Sequence, residues 1–371
     1  MVGRILAATL LLTLVACGGS PTAAPEAGRS GGANGKINLK STFGPVFEKV
    51  EGLSGKERRD VLVSLAEKEG DVKWYTSLNV EVARSVIEAY EKATGLGVSL
   101  YRAGSENVRN RVLEEAGAGF AGADVVETNG PELVALADQS VLEPLKSPVQ
   151  DALTDGAVRE EWTATRFNIF TVAWNTDLVP EGKRPTSYED LADPAWDGRM
   201  AMEIEDYDWY WALWHHLVDE KGMSEKEVDA YFQDLAKGAA FTTGHTTMRQ
   251  LLAAGEYALV TSDYSYGIAE EVAKGAPVAW EPPIQPLFAR PNGIALVRNA
   301  ENPAAALAFT EWLLSDGQKV LADNNIDPTR KDLLNVDAEM RVIDVAKYLA
   351  EEDKFKREYE ELARLGKRIE K

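Results

Sequence analysis

Val72-Lys73-Trp74-Tyr75-Thr76-Ser77 opens the part of the chain that decides the fold. Its β-branched and aromatic residues suit a buried strand. Behind it, residues 80–94 carry Val82, Val86 and Tyr90 at four-residue spacing and stop at Gly95, the pattern of an amphipathic helix with a glycine cap. Residues 98–102 read as the next strand, and Ser105 is the expected cap of a helix carrying Val108, Val112 and Leu113. Residues 123–127 are again an apolar strand, followed by Asn129-Gly130-Pro131, a helix start with proline in its first turn. The order β-α-β-α-β-α predicts a mostly parallel sheet covered on both faces, with ligand crevices at the carboxyl ends of its strands.

A second set follows. Residues 167–174 read as a long strand, Ser187 opens a short helix, 199–204 form a strand and 206–219 an aromatic-rich helix. Ser224-Glu225-Lys226-Glu227 is a capping box for a helix ending at Gly238. Strands are expected at 239–243, 258–263 and 277–281, with helices between them, and another at 293–297. Pro303 begins an apolar helix through Trp312, and charged amphipathic helices finish the chain. Two α/β sets and a returning strand-helix unit fit two lobes joined by crossover strands. A length of 371 residues agrees with more than one compact body.

The beginning of the chain is of another kind. Arg4 precedes an apolar run over 5–16 and then Cys17, which is the layout of a signal peptide too short to span a bilayer. Leu14-Val15-Ala16-Cys17 resembles the bacterial lipobox, which implies diacylation of Cys17 and stable anchoring by two acyl chains. Residues 17–36 are rich in Gly, Ser, Pro and Ala and read as a flexible tether. Cys17 is the one cysteine, so no disulfide forms within the chain. A formal net charge of −20 disfavours nucleic acid and anionic lipid as electrostatic partners and keeps the surface solvated.

Several segments, in the right order over about residues 60–330, resemble the extracellular solute-binding proteins of bacterial ABC importers. The class is the one holding ferric-iron and small-anion receptors. They include Trp74-Tyr75-Thr76-Ser77, Ala123-Asp124-Val125-Val126-Glu127-Thr128-Asn129-Gly130 and Ala173-Trp174-Asn175-Thr176. Trp196-Asp197-Gly198, Glu205-Asp206-Tyr207-Asp208-Trp209, Gly255-Glu256-Tyr257, Arg290-Pro291-Asn292-Gly293 and Leu314-Ser315-Asp316-Gly317-Gln318 complete the pattern. The resemblance implies an α/β, two-lobed periplasmic-binding-protein-like fold of type II: two mixed sheets flanked by helices, with a hinge between them. Residues 37–169 with 290–330 would form one lobe, 170–289 the other, and 331–371 the C-terminal helices, which brace one lobe or cross to both. It implies closure around a solute, an importer permease as partner, and no cofactor beyond a transported ligand such as Fe3+. The expected state is a monomer, exported and lipid-anchored at the periplasmic or extracellular face.

Ligand contacts in such a fold come from loops at strand ends, where helix N-termini present free amides. Ser77, Ser105 and Asn129 occupy three such places, and Thr243-Gly244-His245-Thr246-Thr247 a fourth. The last is either an anion cradle or an ordinary capped helix. Asp263-Tyr264-Ser265-Tyr266 lies at another strand end. In the ferric branch adjacent tyrosines at the corresponding place bind iron as phenolates. Here Ser265 splits Tyr264 from Tyr266, a spacing that does not readily place both oxygens on one face of a helix, so direct coordination and a hydrogen-bonding or packing role stay open. Tyr207 and Asp208 bring an aromatic and an acid to a helix start, for binding an amine or metal or for capping. Arg290 reaches an anion or stabilises the hinge. Trp209, Trp211 and Trp214 are expected in the core, and His215 and His216 as surface or packing residues. Ferric iron, alone or with an anion, is the cargo the resemblance implies. The alternative is a small organic anion such as a phosphonate, phosphate ester or carboxylate. An exported hydrolase lacks support, since the chain has no nucleophile elbow, P-loop or zinc-binding helix motif.

Overall fold

Two helices, α1 (Gly44–Val50) and α2 (Gly55–Ala66), lead into β1 (Val72–Thr76) in a computed structural model that describes residues 36–368. The expected signal peptide, Cys17 and all of the tether but Lys36 lie outside the described residues. The predicted alternation then follows: α3 (Val80–Thr94), β2 (Val98–Arg102), α4 (Ser105–Gly117), β3 (Val125–Asn129) and α5 (Gly130–Asp138). Helix α3 has the bounds its pattern predicts. Asn79 accepts from the Glu81 amide at 2.8 Å at its start, and Gly95, with φ 76°, ends it. Helix α4 is capped by Gly104 instead of Ser105, which is the first helical residue.

Next come β4 (Leu142–Glu143), the long β5 (Thr163–Asn175), β6 (Met200–Glu203) and α6 (Tyr207–His215), which passes into a π-turn over His216–Glu220. Helix α7 (Glu225–Gly238) starts on the predicted Ser224–Glu227 capping box, and β7 (Ala239–Thr242), α8 (His245–Ala253), β8 (Leu259–Tyr264), α9 (Ser265–Ala273) and β9 (Val278–Ala279) follow. The chain returns through β10 (Leu287–Val297), α10 (Pro303–Leu313), α11 (Gly317–Asp323), β11 (Asp327–Pro328) and β12 (Met340–Val342). It closes with one C-terminal helix, α12 (Val345–Leu365), and β13 (Lys367–Arg368).

Strand β1 lies between β2 and β3, all parallel, and β10 runs antiparallel to β3. At the other end β6 is parallel to β7 and β8, and β8 is antiparallel to β5. The two expected sheets are halves of one mixed sheet, joined on β5 and β10, which pair from Phe170↔Phe288 to Thr163↔Ile294. The main path among the described residues is therefore continuous: β13-β7-β6-β8-β5-β10-β3-β1-β2.

Apolar burial nevertheless divides at these crossing strands. One core draws on residues 43–169 and 287–345, around Trp74 and Phe309, whose rings are 5.0 Å apart. Another draws on 170–288 and 343–362, around Trp209, Phe232 and Tyr359. A small third cluster of Ala173, Met248, Val260 and Ile268 covers the opposite side. Each fully buried phenylalanine contributes about 1.5–3 kcal/mol to holding its core together. Trp209, Trp211 and Trp214 are core residues as expected, and α12 touches both cores, through Val345 on one and Phe355 and Tyr359 on the other.

Strand β10 starts at Leu287, well before the expected 293: Arg290-Pro291-Asn292-Gly293 has the composition of a turn, but pairing with β5 from Phe288 onward keeps it extended. Pro291 is tolerated since pairing with β3 begins only at Asn292, leaving one partner strand beside the proline. A register shift falls between Asn292 and Gly293. A Cβ on Gly293 would lie 2.4 Å from Trp162 Cε3 and 2.8 Å from the Thr163 carbonyl oxygen. Gly293→Ala should therefore cost about 1–3 kcal/mol, seen as a lower urea midpoint at unchanged slope. An unchanged midpoint would show that the crossing strands yield freely.

Candidate functional site

The turns after β1, β2, β3, β7 and β8 open on one cleft of about 540 Å³, the crevice position that strand order predicts. Ser77, Ser105, Asn129, Gly244, His245, Thr246, Tyr264 and Tyr266 all line it. A more apolar cavity of about 320 Å³ lies between α2 and α10, against Leu62, Val63 and Trp312, and holds none of the predicted site residues.

Tyr264 ends β8 and Tyr266 sits in the first turn of α9. The change from strand to helix between them turns the rings parallel, with centroids 5.6 Å apart and planes 16° apart, so both border the cleft despite Ser265. The expected difficulty of an i, i+2 pair holds for a continuous helix, which this is not. Tyr264 also stacks on His245 at 4.0 Å and packs against Phe170 at 5.3 Å.

Beneath Tyr264 lies a buried charge network. Arg290 donates to Asp208 from Nε and Nη2, at 2.6 and 2.5 Å, and to the Tyr264 hydroxyl from Nη1 at 2.7 Å. Its guanidinium lies 4.8 Å from the Phe170 ring centre. Asp208 and Arg290 thus satisfy one another below the cleft instead of lining it. Burial pushes the Tyr264 hydroxyl up, and Arg290 opposes that shift by favouring phenolate. His245 bonds Asp206 at 3.1 Å. Burial works against its charge, but Asp206 and the neighbouring acids outweigh burial and leave its pKa raised.

The loop expected as an anion cradle is partly occupied from within. The Gly244 amide donates to Glu203 at 2.8 Å, and burial together with Asp206 raises the Glu203 carboxyl. Thr243 is exposed and turns with Tyr207 to a separate groove beside Glu205 and Glu360. Tyr207 there meets Tyr359 edge-on at 5.8 Å.

Residues that sequence reasoning passed over complete the cleft. Arg166, inside the long apolar β5, ion-pairs with Glu127 at 3.2 Å. Arg249, one turn after His245 on α8, is held by Asp263 at 2.9 and 3.2 Å and packs where a Cβ on Gly267 would stand. Both arginines draw the Tyr266 hydroxyl downward against the stronger upward push of burial. Arg102 holds the Leu78 carbonyl at 3.0 Å, and Lys274 stands at the rim beside Glu271. A lone arginine in an apolar strand and a glycine directly after the second tyrosine are the sequence signals for two of these. The buried Ser77 hydroxyl has no hydrogen-bond partner among the described residues. His215 and His216 pair with Asp219, Glu351 and Glu220, away from the cleft. Among the described residues no group of three or more His, Cys, Asp or Glu is placed to hold a metal, and no helix is long and apolar enough to cross a membrane.

Crossover strands joining two α/β sets, with a polar cleft at their strand ends, define a two-lobed solute receptor of type II. Residues 85–337 match the family model described as bacterial extracellular solute-binding protein, and the chain belongs to that family. The Fe(3+)-binding periplasmic protein of Serratia marcescens is 23% identical over 267 residues, covering 68% of this chain and 76% of the relative. Iron-bound HitA from Pseudomonas aeruginosa superposes with a TM-score of 0.64 at 20% identity, over 78% of this chain and 99% of its own. The Trichodesmium IdiA (FutA) protein in complex with iron and citrate gives 0.65 at 19% identity, over 79% and 99%. These two likenesses are of fold.

Asp327, whose carboxylate accepts from the Ser265 hydroxyl at 2.8 Å, carries the clearest pH signature. Burial pushes its carboxyl up to about 6 from 3.8. Between those values the native chain keeps a proton the unfolded chain has lost, so stability falls as pH rises through the window. Asp327→Asn should thus be more stable than the parent at pH 7.5, by on the order of 2 kcal/mol, with the gain vanishing below about pH 4. Urea unfolding across pH checks this, and a constant difference would contradict it.

Proposed function

We propose that this chain is the receptor of an ABC importer and captures ferric iron together with a small anion between two closing lobes. The observation that carries the reading is the parallel Tyr264–Tyr266 pair at the cleft. Phenolate is a hard anionic oxygen donor suited to a trivalent cation, and Arg290 beside Tyr264 favours the anionic form. Arg166, Arg249, Ser77 and Ser105 border the same space and suit an anion completing the coordination. The names of the Serratia and Trichodesmium proteins support the same cargo.

The lobes in this reading are residues 37–169 with 290–330 and residues 170–289, hinged where β5 and β10 cross. The separate cores on either side support that division. Cys17 would carry two acyl chains and hold a monomeric, exported, non-catalytic receptor close to its permease. A second reading, a small organic anion without iron, is favoured by the arginines and Lys274 around the cleft.

Ferric citrate added to metal-free protein should produce a visible tyrosinate charge-transfer band, which Tyr264→Phe and Tyr266→Phe each weaken. Citrate, phosphate or a phosphonate alone should raise the melting temperature less than the ferric complex does. Full stabilisation by an iron-free anion, with no band on adding iron, would select the second reading instead.

A further inference from the structure

Asp327 is a partly buried carboxylate with a single hydrogen-bond donor, the Ser265 hydroxyl at 2.8 Å, and no lysine, arginine or histidine at ion-pair distance among the described residues. A carboxylate taken from water on such terms costs stability, and such costs are kept where a group has work to do. Asn325, at φ 58°, turns the chain out of α11 so that β11 lies against β5, with Asp327 opposite Phe167 and Pro328 opposite Arg166. That turn brings the carboxylate to the start of α9, 62 residues away in sequence. Ser265 stands between the two cleft tyrosines. With its hydroxyl drawn to Asp327, the residues on either side turn to the cleft and their rings come parallel.

We infer that Asp327 is a positioning residue for cargo capture: by holding Ser265 it sets the Tyr264–Tyr266 pair. This rests on the reading that the tyrosines touch the cargo. A tyrosine pair split by a serine then works because a carboxylate outside the loop fixes the serine, which contiguous tyrosines would not require. Asp327 touches no cargo itself.

Ferric citrate titrations of the parent, Asp327→Ala, Ser265→Ala, the double variant of these two, Asp327→Asn, Tyr264→Phe and Tyr266→Phe test this, with thermal unfolding to check that each is folded. Asp327→Ala and Ser265→Ala should each weaken affinity about tenfold and dim the charge-transfer band, and the double variant should be no weaker than either. Asp327→Asn, whose amide oxygen still accepts from Ser265, should restore both readouts to near the parent. Parent-like affinity and band in Ser265→Ala, where Tyr266→Phe loses them, would overturn the positioning role and leave the tyrosine reading standing. Unchanged binding in Tyr266→Phe and Tyr264→Phe would overturn that reading and this inference with it. Should Asp327→Ala not fold, Ser265→Ala and Asp327→Asn still decide.

Discussion

A guanidinium buried beneath a cleft has to be paired, and Arg290 is paired so as to tie three parts of the molecule together. From the crossing strand β10 it grips Asp208 at the start of α6 and the Tyr264 hydroxyl at the end of β8. Asp206 adds a second carboxylate, 3.7 Å from Nη2, so removing Arg290 would leave two buried acids without their shared cation in low dielectric, a loss of about 3–5 kcal/mol. Tyr264 is consequently held at its ring by His245 and Phe170 and at its oxygen by Arg290. Ser265, anchored by Asp327, orients the next turn, and Arg249 fills the space Gly267 leaves open. The tyrosine pair is thereby preorganised, so cargo would not have to supply the free energy of ordering it.

The same strand explains how one continuous sheet can serve two cores. β5 and β10 pass from one core to the other, and the register shift at Asn292–Gly293 falls on this shared segment. Helix α12 follows the second core for most of its length while Val345 reaches the first. The C-terminal helix thus packs on both cores, so any movement of one core against the other has to carry it along.

Much of the fold was legible because period and punctuation agreed. Val82, Val86, Tyr90 and Gly95 mark α3 to its last residue, and Ser224 with Glu227 marks the start of α7. β10 was obscured by Pro291 and Gly293, whose turn character is overridden by pairing that no local pattern reveals. At the site, Ser77, Ser105, Asn129 and His245 were found by their position on turns after strands, and the tyrosines by position together with the family resemblance. Asp208 and Arg290 were singled out for charge, but their burial against each other depends on a contact spanning 82 residues. Arg166 and Asp327 escaped notice for the same reason. Each draws its meaning from a partner far along the chain, Glu127 for one and Ser265 for the other.

The central claim is that the two tyrosines of a preorganised cleft hold ferric iron. Anomalous diffraction at the iron edge, from crystals of the protein loaded with ferric citrate, tests it most directly. The account predicts one strong peak in the cleft, within bonding distance of the Tyr264 and Tyr266 oxygens, with citrate density on the side of Arg166 and Arg249. Citrate density in the cleft without an iron peak, or iron bound elsewhere on the surface, would contradict it.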